Sequence, residues 1–121
     1  MSATIDHVGM SVTDFDKARA LYVAALKPLG LRIVDDYGTT IGMGGEKAFL
    51  WISHGEPGHV HLAFRAATTT EVDAFYKAAI AAGATDNGPP GIRSEYSENY
   101  YAAFIRDPDG HNIEAVCYVR R

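Results

Sequence analysis

The stretch HLAFRAATTTEVDAFYKAAIAA, His61–Ala82, decides the fold, because HVGMSVTDFDKARALYVAALKPL at His7–Leu29 carries the same pattern. A shift of 54 positions sets His7 on His61 and Ala20-Leu21-Tyr22-Val23-Ala24-Ala25-Leu26 on Ala74-Phe75-Tyr76-Lys77-Ala78-Ala79-Ile80. Val8-Gly9-Met10 then meets Leu62-Ala63-Phe64, small residue on small and large on large. One fixed offset means one supersecondary unit used twice. Each copy opens with a histidine in a strand and passes into a helix.

Working outward, Ile5–Val12 alternates and reads as a strand with His7, Gly9 and Ser11 on one face. Thr13-Asp14-Phe15-Asp16 offers a cap residue with a carboxylate three later, so a helix is expected from there to about Leu29. Pro28 and Gly30 stop it. Leu31–Asp36, Tyr37–Met43 and Lys47–Ser53 are three short strands, and His54–Gly58 is a linker by composition. The second unit opens with a strand at Val60–Ala66, in which His61, Ala63 and Arg65 share a face. A helix capped by Thr68-Thr69-Thr70-Glu71 follows, reaching about Ala82. Asn87–Gly91 is an extended, kinked connection, and Ser94–Tyr101 holds Tyr96, Tyr100 and Tyr101. Tyr101–Arg106 and Asn112–Val119 are strands joined by the turn Asp107-Pro108-Asp109-Gly110. The expected class is α+β: two β-α-β-β-β modules, about 1–57 and 58–121 of one domain, forming a curved mixed sheet with helices on its outer face.

Composition narrows the partners. At 121 residues, 47% hydrophobic and 21% charged, the chain is an ordinary single domain. A net charge of −4 gives no reason to expect nucleic acid or an anionic membrane. No apolar run is long enough for a membrane span, and no signal segment opens the chain. The single cysteine, Cys117, excludes an internal disulfide framework and fits a reducing cytosol. A cytoplasmic domain with a small-molecule partner is expected.

The inner face must carry any chemistry, since helices cover the other. His7 and His61 occupy equivalent positions there, and Glu114 lies in the last strand within Asn112-Ile113-Glu114-Ala115-Val116. A carboxylate with apolar neighbours needs a cationic partner. Two imidazoles and a carboxylate are the ligand set for a divalent ion with open positions; a pairing of Glu114 with Arg106 or Arg120 is the competing reading. His54 in the linker and His111 in the turn are expected to be exposed, and Cys117 to sit in the core.

The paired His-Val-Gly-Met and His-Leu-Ala-Phe openings, with Arg106-Asp107-Pro108-Asp109-Gly110-His111-Asn112-Ile113-Glu114-Ala115-Val116 near the end, resemble the vicinal oxygen chelate superfamily. That group contains glyoxalases, bleomycin-resistance proteins and extradiol dioxygenases. The resemblance implies metal ligation by His7, His61 and Glu114, with Zn, Ni, Mn, Co or Fe as the ion. It also implies a homodimer in which the ligands of one ion come from two chains. A frequent fourth ligand falls on Trp51, which cannot coordinate. Ser11 stands where glutathione-dependent glyoxalases tend to have Arg, and Gly9 where fosfomycin-modifying relatives usually have Thr. Trp51 and Ser11 argue against lactoylglutathione lyase chemistry, and Gly9 departs from the fosfomycin-modifying pattern.

The expected function is a metal-dependent enzyme chelating vicinal oxygens of a small substrate, of lyase, isomerase or oxygenase type. Trp51, Arg93 and Tyr96 are candidate pocket residues, with Arg93 as a carboxylate clamp. Tyr100 or Tyr101 is a candidate proton donor or relay. The alternative is a non-catalytic protein that sequesters an aromatic, antibiotic-like ligand.

Overall fold

The computed structural model describes residues 5–119. The first module is β1 (Val8–Val12), α1 (Phe15–Leu26, extended by a 3-10 turn at Lys27–Leu29), β2 (Arg32–Asp36), β3 (Thr40–Gly44) and β4 (Ala48–His54). The second is β5 (His61–Arg65), α2 (Thr69–Ala81), two short strands β6 (Thr85–Asp86) and β7 (Gly91–Ile92), then β8 (Tyr100–Arg106) and β9 (Asn112–Tyr118). The duplicated plan and the α+β class are as the sequence implies, with two short strands, β6 and β7, where the β-α-β-β-β plan of the second module has one. Strands β6 and β7 flank the Pro89-Pro90 bend, each pairing briefly with β8.

Each module makes its own mixed sheet, in the orders β1-β4-β3-β2 and β5-β9-β8-β6, with β7 also on β8. β1 runs parallel to β4 and β5 parallel to β9, so the module openings are the free edges of their sheets. Among the described residues, one chain therefore forms two sheets and not a single continuous one. Alternation assigns the faces: Met10, Val12, Ile41, Met43, Leu50 and Ile52 turn to the helices and are buried. Ile113, Ala115, Ala103 and Ile105 do the same in the second sheet. Helix α1 packs on α2 and on the first sheet, and α2 packs on β8 and β9, so both modules share one core. Tyr22 and Phe75, equivalent in the two helices but for one position of drift, are the largest fully buried side chains in it.

The helix starts differ in one respect from the sequence reading. Thr68 caps α2 by accepting from the Glu71 backbone N–H (3.2 Å), as expected. In α1 the cap is Asp14, accepting from the Lys17 N–H (3.1 Å), while Thr13 is diverted to Asp109. Among the described residues no helix is long and apolar enough to cross a membrane.

The β8–β9 turn holds the main surprise. The Gly110 N–H donates to the Asp107 carbonyl (2.9 Å), and Gly110 takes the positive φ of +87° that the turn requires. Asp107 and His111, however, are buried, which corrects the expectation of an exposed His111. The turn is inserted against the first module rather than displayed to solvent. Tyr22 Oη donates to Asp107 Oδ2 (2.6 Å), and Asp107 Oδ1 accepts from the backbone N–H groups of Asp109 (3.0 Å) and His111 (2.9 Å). Asp109 accepts from both the hydroxyl (2.6 Å) and the backbone N–H (2.9 Å) of Thr13. His111 Nδ1 accepts from the Val60 N–H (3.1 Å) and Nε2 donates to the Ser11 carbonyl (2.9 Å). Polar groups buried at a seam must be satisfied there, and this knot satisfies them across both modules.

Candidate functional site

The open face of the second sheet carries His61 and Arg65 on β5, Glu114 and Tyr118 on β9, and Tyr100 and Phe104 on β8. Register places Phe104 directly opposite Glu114, and Ala63 on its other side. Small Ala63 and Ala102 leave the floor low, while Ala102, Val116 and Phe104 form a second apolar cluster beneath Tyr100. Glu114 is only 2% exposed, as its apolar neighbours imply.

Both carboxylate oxygens of Glu114 are spoken for. Oε1 lies 3.2 Å from His61 Nε2, and Oε2 accepts a hydrogen bond from Tyr100 Oη. Neither contact involves Arg106, which donates to the Gly110 carbonyl; Arg120 lies outside the described residues. The other imidazole nitrogen, His61 Nδ1, is 3.1 Å from the Asn112 carbonyl, to which it can only donate. Nε2 therefore faces the carboxylate with its lone pair unless a second proton is added. Two acceptors in that position need a cation between them, either that proton or a metal ion. Ligand atoms about 2.0–2.2 Å from a Zn²⁺-like ion sit roughly 3 Å from one another, so the observed spacing fits a shared ion.

The third expected ligand is elsewhere. His7 lies just before β1, with Nδ1 2.8 Å from Asp6 Oδ1, and its side chain is 60% exposed. The neighbouring His7 and Lys47 hold the Asp6 carboxyl below its usual range. Within one chain His7 does not join His61 and Glu114 in a group of converging ligand atoms. His7 immediately precedes and His61 opens the free-edge strand of its module.

The one group of three converging metal-type ligands among the described residues is Asp107, Asp109 and His111, with atoms within 4.8 Å of one another. Their spacing suits an ion, but their hydrogen bonds do not. Both nitrogens of His111 are engaged, Nδ1 as acceptor from Val60 and Nε2 as donor to Ser11, which leaves no lone pair for a metal. Each carboxylate already accepts hydrogen bonds from the facing module. This cluster ties the modules together.

The remaining candidates divide by face. Trp51 lies across from Gly9 and Gly42 on the open face of the first sheet, half-buried, with Tyr37 parallel to it at 6.3 Å between centroids. Gly42 has to be glycine: a Cβ there would come within 2.8 Å of both the indole ring and the Ala48 Cβ. Tyr96 is exposed and meets Tyr100 edge to face at 5.1 Å. Arg93 lies over Phe104, with 5.4 Å between its guanidinium carbon and the ring centroid. Tyr101 points the other way: its hydroxyl donates to Asp73 of α2 (2.6 Å), so it belongs to the helix side of the sheet, away from Glu114. That bond pushes the Tyr101 phenol up to about 12. Burial first, and then Glu114, raise Tyr100 as well. Cys117 is buried on the helix side, its Sγ 3.6 Å from the Ala67 carbonyl, a core residue as expected.

Sequence reasoning missed Phe104 and Asn112, which set the His61 ring. Phe104 stacks on it at 6.5 Å and 20°, and the Asn112 carbonyl fixes its tautomer. Their alternation with Glu114 was legible, but the β8–β9 register was needed to bring them together.

Comparison with known proteins agrees with this layout. No curated protein matches the chain. A crystal structure of a glyoxalase/bleomycin resistance protein from Albidiferax ferrireducens T118 is 29% identical, with a TM-score of 0.83 over 95% of this chain and 99% of that one. Lactoylglutathione lyase from Agrobacterium tumefaciens (21% identity, TM-score 0.69, 97% and 95% coverage) and TioX from Micromonospora sp. ML1 (17%, 0.69, 97% and 100%) share the fold. The model of the Glyoxalase/Bleomycin resistance protein/Dioxygenase superfamily matches residues 4–115, nearly the whole of both modules. With its duplicated modules and the vicinal oxygen chelate fold, this chain belongs to that superfamily.

Proposed function

We propose that this chain is a metal-dependent enzyme of the superfamily, acting on a small molecule that presents two neighbouring oxygens. His61 and Glu114 of one copy and His7 of a second copy would hold the ion, in a cytoplasmic homodimer with two composite sites. The observation that carries the reading is the His61–Glu114 contact at 3.2 Å, where an imidazole lone pair and a buried carboxylate oxygen converge. The free edges of β1 and β5 support the second half: joining them between copies pairs both edges and brings the equivalent histidines to one place.

A bound divalent ion, whether Zn, Ni, Mn, Co or Fe, would act as a Lewis acid toward a substrate carbonyl and the enolate or oxyanion formed from it. The protein's own part is positioning. Tyr100 keeps its proton on Oη and holds Glu114 Oε2, so the carboxylate offers Oε1 alone. Phe104 and the Asn112 carbonyl hold the imidazole plane. Trp51 supplies an apolar wall and Tyr96 a polar rim.

The parallel Trp51 and Tyr37 rings favour a second reading, a protein that sequesters a flat aromatic ligand without turning it over. Metal analysis after repletion with each candidate ion separates the two. The enzyme reading expects about one ion per chain, lost in His61→Ala with the fold intact. Protein that retains no more than a trace of any ion would overturn it in favour of the binder.

A further inference from the structure

Arg93 is held with unusual care for a loop arginine. Its backbone N–H donates to the Tyr100 carbonyl (2.7 Å), and its own carbonyl accepts from Tyr96 (3.0 Å) and Ser97 (3.3 Å). Its Nη2 donates to the Pro89 carbonyl (2.6 Å). The loop wraps the guanidinium closely because two glycines lack side chains: a Cβ on Gly88 would lie 3.0 Å from Nη2, and one on Gly91 3.2 Å from Nη1. Gly88 also sits at a φ of +144°, which L side chains rarely adopt. The Phe104 ring thus neighbours both the guanidinium and the His61 ring, which puts the cation one ring away from the His61–Glu114 pair.

That cation is half-buried rather than displayed to solvent. A partly desolvated guanidinium with a fixed stem is prepared for a planar anion. Arg65, stacked on Tyr118 at 4.9 Å on the same face, is exposed and lacks such a clasp. We propose that the ligand of this site carries a carboxylate, received by Arg93 while the ligand's paired oxygens lie at the His61–Glu114 end. The proposal rests on the metal-centred reading above.

The test uses metal-loaded protein and calorimetric titration with acetohydroxamate, a neutral vicinal-oxygen chelator, against the monohydroxamates of malonic, succinic and glutaric acid. Wild-type protein should bind at least one of the acid-tailed compounds roughly tenfold tighter than acetohydroxamate, the scale of a charge-assisted pair. Arg93→Gln should bind acetohydroxamate like wild type and lose the preference, and Arg93→Lys should keep part of it. No preference in wild type, or one that survives Arg93→Gln and disappears in Arg65→Gln, would overturn the proposal while leaving the metal site standing. Wild-type protein that takes up no ion, or whose ion binds none of the hydroxamates, would sink the metal-centred reading and the proposal with it.

Discussion

Tyr100 and Glu114 are joined by a hydrogen bond that occupies one oxygen of a buried carboxylate and leaves the other facing His61. The pair comes from adjacent antiparallel strands and is set by their register, four residues apart along β8 from the Phe104–Glu114 match. In the proposed metal site the hydroxyl would leave Oε1 as the coordinating oxygen.

Tyr100→Phe removes that restraint and nothing from the backbone. It should weaken metal retention by about tenfold or more, the usual effect of losing an outer partner of a ligand, with little change in melting temperature. Metal-competition titration of both proteins checks it; equal affinities would show that Glu114 needs no such support.

His111→Leu should act on stability instead. It strands the Val60 N–H and the Ser11 carbonyl, both paired by the imidazole, at about 1–3 kcal/mol for each buried unsatisfied group. Denaturant unfolding should register the loss while the metal content of the folded protein stays at the wild-type level. Loss of metal with unchanged stability would instead make Asp107, Asp109 and His111 the ion site.

Alkaline stability follows from the tyrosines. Burial and Asp107 raise Tyr22, and hydrogen bonding to Asp73 raises Tyr101 to about 12. A phenol whose folded pKa is raised contributes stability that is complete below the unfolded value near 10 and is lost as pH climbs from there. Melting temperature should hold to about pH 10 and then fall. In Tyr22→Phe it should start lower and fall less steeply above that pH; a parallel decline in the two proteins would contradict the assignment.

Much of this was legible in the chain. The offset between the two histidine openings gave the modules, helical spacing gave Phe15, Leu21, Tyr22, Val72 and Phe75 as core, and an apolar setting marked Glu114 as buried. The fate of Asp107-Pro108-Asp109-Gly110 was not. Turn chemistry fixes backbone angles locally, whereas the burial of His111 depends on a first module that arrives from far along the chain. Thr13 was likewise a sound cap by local rules, until Asp109 competed for its hydroxyl and Asp14 took the role. Tyr101 differs from Tyr100 only by the parity of the pleat, and parity needs a register. The division into two sheets was equally hidden, because whether the β1 and β5 edges meet depends on how the modules are placed and not on the local pattern of either.

The most direct test of a site shared between copies is the metal content of a mixed dimer, prepared by co-expressing His7→Ala and His61→Ala chains with different tags. Each variant dimer alone should lose the ion. If ligands come from two copies, the mixed dimer contains one site with all three residues and should retain one ion. A mixed dimer as empty as its parents, beside wild type that holds its metal, would contradict the account.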